Sequence, residues 1–109
     1  MKKTVSALFA CIEGTTGKIS EKTIWQEIIF VVEIENPITD DDFYLHATEL
    51  ARNYETEYTN AEGITVLWKF QKILDISALE ILEVVDGAEL FSRFLTSEQK
   101  EVLENNTFD

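Results

Sequence analysis

Residues 23–35, TIWQEIIFVVEIE, alternate in character with a period of two, and this alternation restricts the fold more than any other stretch of the chain. Ile24, Ile28, Phe30, Val32 and Ile34 fall on one side, and Trp25, Glu27, Glu33 and Glu35 on the other. That is the pattern of a β-strand with two different faces, and the β-branched and aromatic content agrees. Upstream, residues 4–13, TVSALFACIE, are apolar or small and read as a first strand, buried on both faces for part of its length. GTTGK at 14–18 supplies turn chemistry between them, so an antiparallel hairpin is expected. Two lysines followed by an apolar stretch and Cys11 mimic a lipoprotein leader. Thr4 to Ala10, however, carries hydroxyl residues and lacks the small-residue spacing of a cleavage site.

Past the second strand the chain turns acidic: EIENPITDDD, residues 33–42, has no positive charge. Pro37 is expected to end the strand. Thr39 then stands as an N-cap, with Asp42 three residues on as an aspartate version of the capping box. Phe43, Ala47, Leu50, Ala51, Tyr54 and Tyr58 follow as a helical stripe. Asp40, Asp41 and Asp42 occupy its first turn, where each carboxylate gains roughly 0.3–1 kcal/mol from the helix dipole. NAEG at 60–63 is a turn, and residues 64–73 alternate again, with Ile64, Val66, Trp68 and Phe70 opposed to Thr65, Lys69 and Gln71. LDISALEILEVVDG predicts a short helix about Ser77–Glu83 before an Asp86-Gly87 turn. Residues 88–95 read as a last strand, and Thr96 or Ser97 caps a polar C-terminal helix.

The order β-β-α-β-(α)-β-α predicts an α+β fold. Residues 1–109 are expected to form a single domain, an antiparallel sheet of about four strands with one long helix packed on one face. Trp25, Ile29, Val31, Leu67 and Ile73 then point away from that helix. Either the later helices cover them or they form an interface, and the burial a chain of this size needs favours cover.

Chemistry-bearing patterns are missing. Cys11 and His46 are the only residues of their types, which excludes a clustered His/Cys metal site and any internal disulfide. A lone cysteine fits a reducing cytoplasm. TDDDFY lacks the alternating oxygens and the glycine of a calcium loop. His46 has no nucleophile or second base at useful spacing and reads as a structural residue. Glu27, Glu33 and Glu35 share a strand face, as a carboxylate pair for glycosidic chemistry would, but acidic strand faces are ordinarily just solvated. No phosphate loop or nucleophile elbow is present, and no apolar run reaches membrane-spanning length. The expectation is a non-enzyme, with no catalytic residue, cofactor or metal.

Charge is the remaining signal. Lys and Arg number 9 against 21 Asp and Glu, a net charge of −12. From Lys22 to Arg52 no cation intervenes, while Glu27, Glu33, Glu35, Asp40, Asp41, Asp42 and Glu49 do. Such a surface repels nucleic acid and anionic membranes and steers a basic protein into contact. The plainer reading is that the acidity serves solubility.

Residues 58–95 carry a further pattern. Asn60, Gly63, Val66, Trp68 and Phe70 form N-x-x-G-x-x-V-x-W-x-F, followed by Leu74-Asp75 and then Asp86, Gly87, Glu89, Leu90, Phe91, Ser92 and Arg93. This arrangement resembles the small bacterial family called domain of unknown function DUF4288. The resemblance implies a small α+β domain and no assigned activity, and its motif residues read as fold determinants, with Arg93 expected to pair with Asp75 or Asp86. Compact acidic bacterial domains of this kind also resemble immunity proteins that neutralise basic nuclease toxins by occupying the nucleic-acid cleft. The expected partner-binding residues are Glu33, Glu35, Asp40, Asp41 and Asp42, with Tyr44 or Trp25 as aromatic anchors. The protein alone is expected to be a monomer or homodimer. The alternative is a cytoplasmic domain that self-associates through Trp25, Ile29 and Val31 on its sheet.

Overall fold

The computed structural model describes residues 2–14, 23–35, 39–78 and 86–105. Among them run β1 (Lys2–Glu13), β2 (Trp25–Glu33), α1 (Asp40–Arg52), β3 (Thr56–Thr59), β4 (Thr65–Ala78), β5 (Glu89–Leu95) and α2 (Ser97–Asn105). The fold is α+β. All five strands form one antiparallel sheet in the order β3-β4-β1-β2-β5, so the sheet has one strand more than the alternation predicts. The extra strand is β3, whose four residues are all exposed and therefore carry no burial pattern.

The hairpin of β1 and β2 forms as expected, with Val5 opposite Phe30 and Ala7 opposite Ile28. Odd residues of β1 and even residues of β2 share one face. There Val5, Ala7, Phe9, Ile28, Phe30 and Val32 pack against Phe43, Ala47 and Ala51 of α1. Fully burying side chains the size of Phe9, Phe30 and Phe43 contributes roughly 1.5–3 kcal/mol each. The helix stops at Arg52, not at residue 58: Asn53 caps it, and Tyr58 lies in β3. Tyr54 still joins the same core, its ring 5.4 Å from that of Phe30. The apolar stripe thus continues in space after the helix has ended.

The opposite face of the sheet holds a second core of Leu8, Ala10, Trp25, Leu74 and Leu95. Helix α2 lies over it, with Leu103 packed against the cluster, so Trp25 is covered by a later helix and is 5% exposed. Val31 is wholly buried.

Strand β4 runs through to Ala78, so Ser77 starts no helix; residues 79–85 of the expected segment lie outside the described residues, as do Pro37 and positions 15–18 of the first turn. The cause is visible in the register. Trp68, Phe70, Ile73 and Ile76 all face the α1 side, opposite Cys11, Phe9, Ala7 and Val5, because two irregularities each insert an extra residue into β4. The apolar spacing therefore widens from two to three, which imitates a helix. The same shifts turn Ile73 toward α1 rather than away from it. Bulges bend a strand and increase its twist. The sheet curls until Trp68 of β4 and Phe94 of β5 meet, with centroids 5.4 Å apart, across the two strands between them.

Candidate functional site

Helix α1 begins as its residues dictate. Thr39 is the N-cap, and its N–H donates to Asp42 Oδ2 at 3.1 Å, closing the capping box. Asp42 is thereby partly buried and engaged in holding the helix start, whereas Asp41 stands exposed beside it. Asp40 is the first helical residue. The core-facing row of Phe43, Ala47 and Ala51 leaves Asp41, Leu45 and Glu49 one above another on the outer surface, at the four-residue spacing that brings helical side chains together. Tyr44 flanks this row and is 50% exposed, and Leu45 is 63% exposed.

One end of the sheet reaches the same helix. Glu33, the last residue of β2, receives Lys2 opposite it in the ladder, with Nζ 3.6 Å from the carboxylate. Glu33 is therefore not uncompensated; the antiparallel register brings it a cation from the far end of β1. The Glu33 N–H donates to Asp86 Oδ1 at 2.7 Å, and the other oxygen of Asp86 lies 2.9 Å from His46 Nε2. His46 Nδ1 is 3.8 Å from Glu49. His46 thus links α1 to the turn that precedes β5. Gly87 completes that junction: its N–H donates to the Val31 carbonyl at 2.7 Å, and its own carbonyl accepts from the Tyr54 hydroxyl.

The structure brings Asp86 and Glu49 against His46 and joins Glu33 to Asp86 through its backbone N–H, with exposed Asp41, Tyr44 and Leu45 on the adjoining helix face. Glu35 is exposed just beyond the end of β2. Trp25 is elsewhere, on the opposite side of the sheet. Its indole N–H reaches Ser97 Oγ at 3.3 Å and the Lys100 ammonium sits 4.5 Å from its ring. Buried and engaged, it is not an accessible anchor. Asp86 and Leu45 join the surface although sequence spacing did not point to them. Asp86 lies far along the chain and reads as simple turn chemistry, and an isolated exposed Leu is ordinary.

Other motif residues have structural positions. The Asn60 side-chain carbonyl accepts from the N–H groups of Glu62 and Ile64 at 2.9 and 3.0 Å, and Gly63 has φ +81, which together close the β3–β4 turn. Arg93 pairs with neither Asp75 nor Asp86. Its Nε donates to Glu27 Oε1 at 2.7 Å, because antiparallel pairing puts Arg93 directly opposite Glu27. Ser6 donates to the other oxygen of Glu27 at 2.5 Å, so this carboxylate is 5% exposed yet fully partnered. Asp75 instead accepts from Ser77 at 3.3 Å. Among the described residues, Cys11 and Tyr54 have pKa values shifted upward. Burial, and then Glu13, raises the Cys11 thiol above its ordinary 9.0; burial, and then Glu89, raises Tyr54 above 10.0. A raised thiol value disfavours the nucleophilic thiolate.

Among the described residues, no three His, Cys, Asp or Glu side chains are grouped so as to hold a metal ion, and no helix is long and apolar enough to cross a membrane. The arrangement offers carboxylates beside an exposed aromatic-aliphatic pair. No curated protein and no solved structure matches the chain. The family profile described as Domain of unknown function (DUF4288) matches residues 6–92, from within β1 to within β5 and ending before α2. With most of its length so matched, this chain belongs to the DUF4288 family.

Proposed function

We propose that this protein is a non-enzymatic inhibitor of the immunity type, which binds a basic nuclease-like protein and occupies its nucleic-acid cleft from the cytoplasm of a bacterial cell. The observation that carries this reading is the outer face of α1. Tyr44 and Leu45 are half or more exposed among carboxylates, beside the Asp86 and Glu49 carboxylates that flank His46. Carboxylates at a rim accelerate encounter with a basic surface, while a central aromatic or aliphatic side chain supplies the desolvated contact that carries affinity. A net charge of −12 supports the choice of a basic partner. Asp41, Tyr44, Leu45 and Glu49 are the residues assigned to contact, with Glu33, Glu35 and Asp40 contributing to the field.

Self-association through Trp25, Ile29 and Val31 has less support, since Trp25 lies beneath α2 and Val31 is wholly buried. Affinity capture with the tagged protein from its bacterial host, at low and high salt, tests the proposal. It expects one basic polypeptide in stoichiometric amount, released by salt, whose nuclease activity this protein suppresses. Recovery of the bait alone would overturn it.

A further inference from the structure

Helix α2 covers an apolar cluster without being part of one. Beneath it, Leu8, Ala10, Trp25, Leu74 and Leu95 are all 5% exposed or less, yet none of the nine residues of α2 is itself buried. Leu103 alone packs on the cluster, and Val102 beside it is 61% exposed. The fit against β5 is loose, leaving a groove of about 440 Å³ lined by Arg93, Leu95, Glu98 and Val102 among others.

Polar contacts hold the helix down. Ser97 accepts from the Trp25 indole, Lys100 lies over the indole ring, and Glu104 is shared between Lys100, at 2.5 Å, and Lys72 of β4. A helix this short has little stability of its own in water. It is also outside the family-matched stretch, which supplies most of the cluster underneath.

We infer that α2 is a releasable cover: it opens as a unit from the sheet, hinged at Thr96, and exposes the apolar cluster around Trp25 when the Lys72–Glu104–Lys100 ion pairs are lost. Opening of this kind is local, so the β1–β2–β4 ladder stays formed while α2 lifts. It follows ionic strength, because the ion pairs are reachable by solvent and are screened. The surface uncovered is apolar and centred on an indole.

Amide hydrogen exchange on the full-length protein tests this, read segment by segment at low and high salt. Amides of residues 101–105 are expected to exchange at least about 100-fold faster than those of β1 and β2, and faster again at high salt. Glu104→Gln is expected to speed α2 exchange about two- to tenfold more, as loss of partly exposed ion pairs implies, with β1 unchanged. Lys72→Met, which removes only the link to β4, is expected to act in the same direction. Exchange of α2 at the rate of β1 would overturn the inference. So would α2 rates indifferent to salt and to both substitutions.

Discussion

Arg93→Met isolates a side-chain interaction between β5 and the hairpin. The Glu27 side chain is 6% exposed and receives two donors, Arg93 Nε at 2.7 Å and Ser6 Oγ at 2.5 Å. Methionine keeps most of the aliphatic stem of Arg93 and removes the charge. Breaking a wholly buried ion pair costs about 3–5 kcal/mol, because the remaining charge stays buried without a partner. Two features lower that figure here. Arg93 is 48% exposed, so water reaches the site, and Ser6 continues to donate. A charge-assisted hydrogen bond contributes about 1.5–3 kcal/mol, and a loss of about 2 kcal/mol is expected. Urea denaturation followed by tryptophan fluorescence measures it, with the midpoint falling and the slope unchanged. For a chain of this size the thermal midpoint should drop by about 8–16 °C. Replacing both partners with apolar residues, Glu27→Leu with Arg93→Met, should recover much of the loss, since no charge is then stranded. If Arg93→Met costs under about 0.5 kcal/mol, or the double variant is no better than the single, the description of Glu27 as a buried charge dependent on Arg93 is wrong.

Gly87→Ala should lose about 1–2 kcal/mol by the same assay, because φ at this position is +79 and an L side chain is strained there. The added Cβ meets only Leu50, at an ordinary 3.5 Å, so the cost is conformational and Gly87→Asn should lose less. Tyr54→Phe removes the donor to the Gly87 carbonyl and should cost about 1 kcal/mol. Stability should be unaffected by Cys11 and Tyr54 below about pH 9 and should decline as pH rises beyond it. The folded protein retains protons that the unfolded chain, with values near 9.0 and 10.0, gives up. Tyr54→Phe should flatten the upper part of that decline. Asp41→Asn with Tyr44→Ala should lower the unfolding free energy by no more than about 1 kcal/mol, the helix-dipole share of Asp41, since both side chains are exposed, while weakening partner capture.

The hairpin, the start of α1, the final strand and α2 were legible because each has a purely local cause: alternation in β2, a capping box at Thr39, a capped polar helix after Leu95. What was not legible is non-local. Strand β3 owes its place to pairing with β4, since its residues are all exposed and show no face. The widened spacing of Phe70, Ile73 and Ile76 looks helical until β1 is laid beside it. Glu27 looked like a solvated acid because its partners, Ser6 and Arg93, come from two other strands. For the same reason the acidic surface was only half visible. Asp41 and Tyr44 could be placed from helix periodicity, whereas Asp86 reaches the surface through a turn, and Lys2 compensates Glu33 only through strand register.

The central proposal is tested most directly by the activity of the captured basic partner. Nuclease activity should be titrated to zero by an equimolar amount of this protein, and the Asp41→Asn, Tyr44→Ala variant should require a large excess while remaining folded. Undiminished nuclease activity at saturating inhibitor, or equal inhibition by parent and variant, would contradict the assignment of the outer face of α1 as the inhibitory surface.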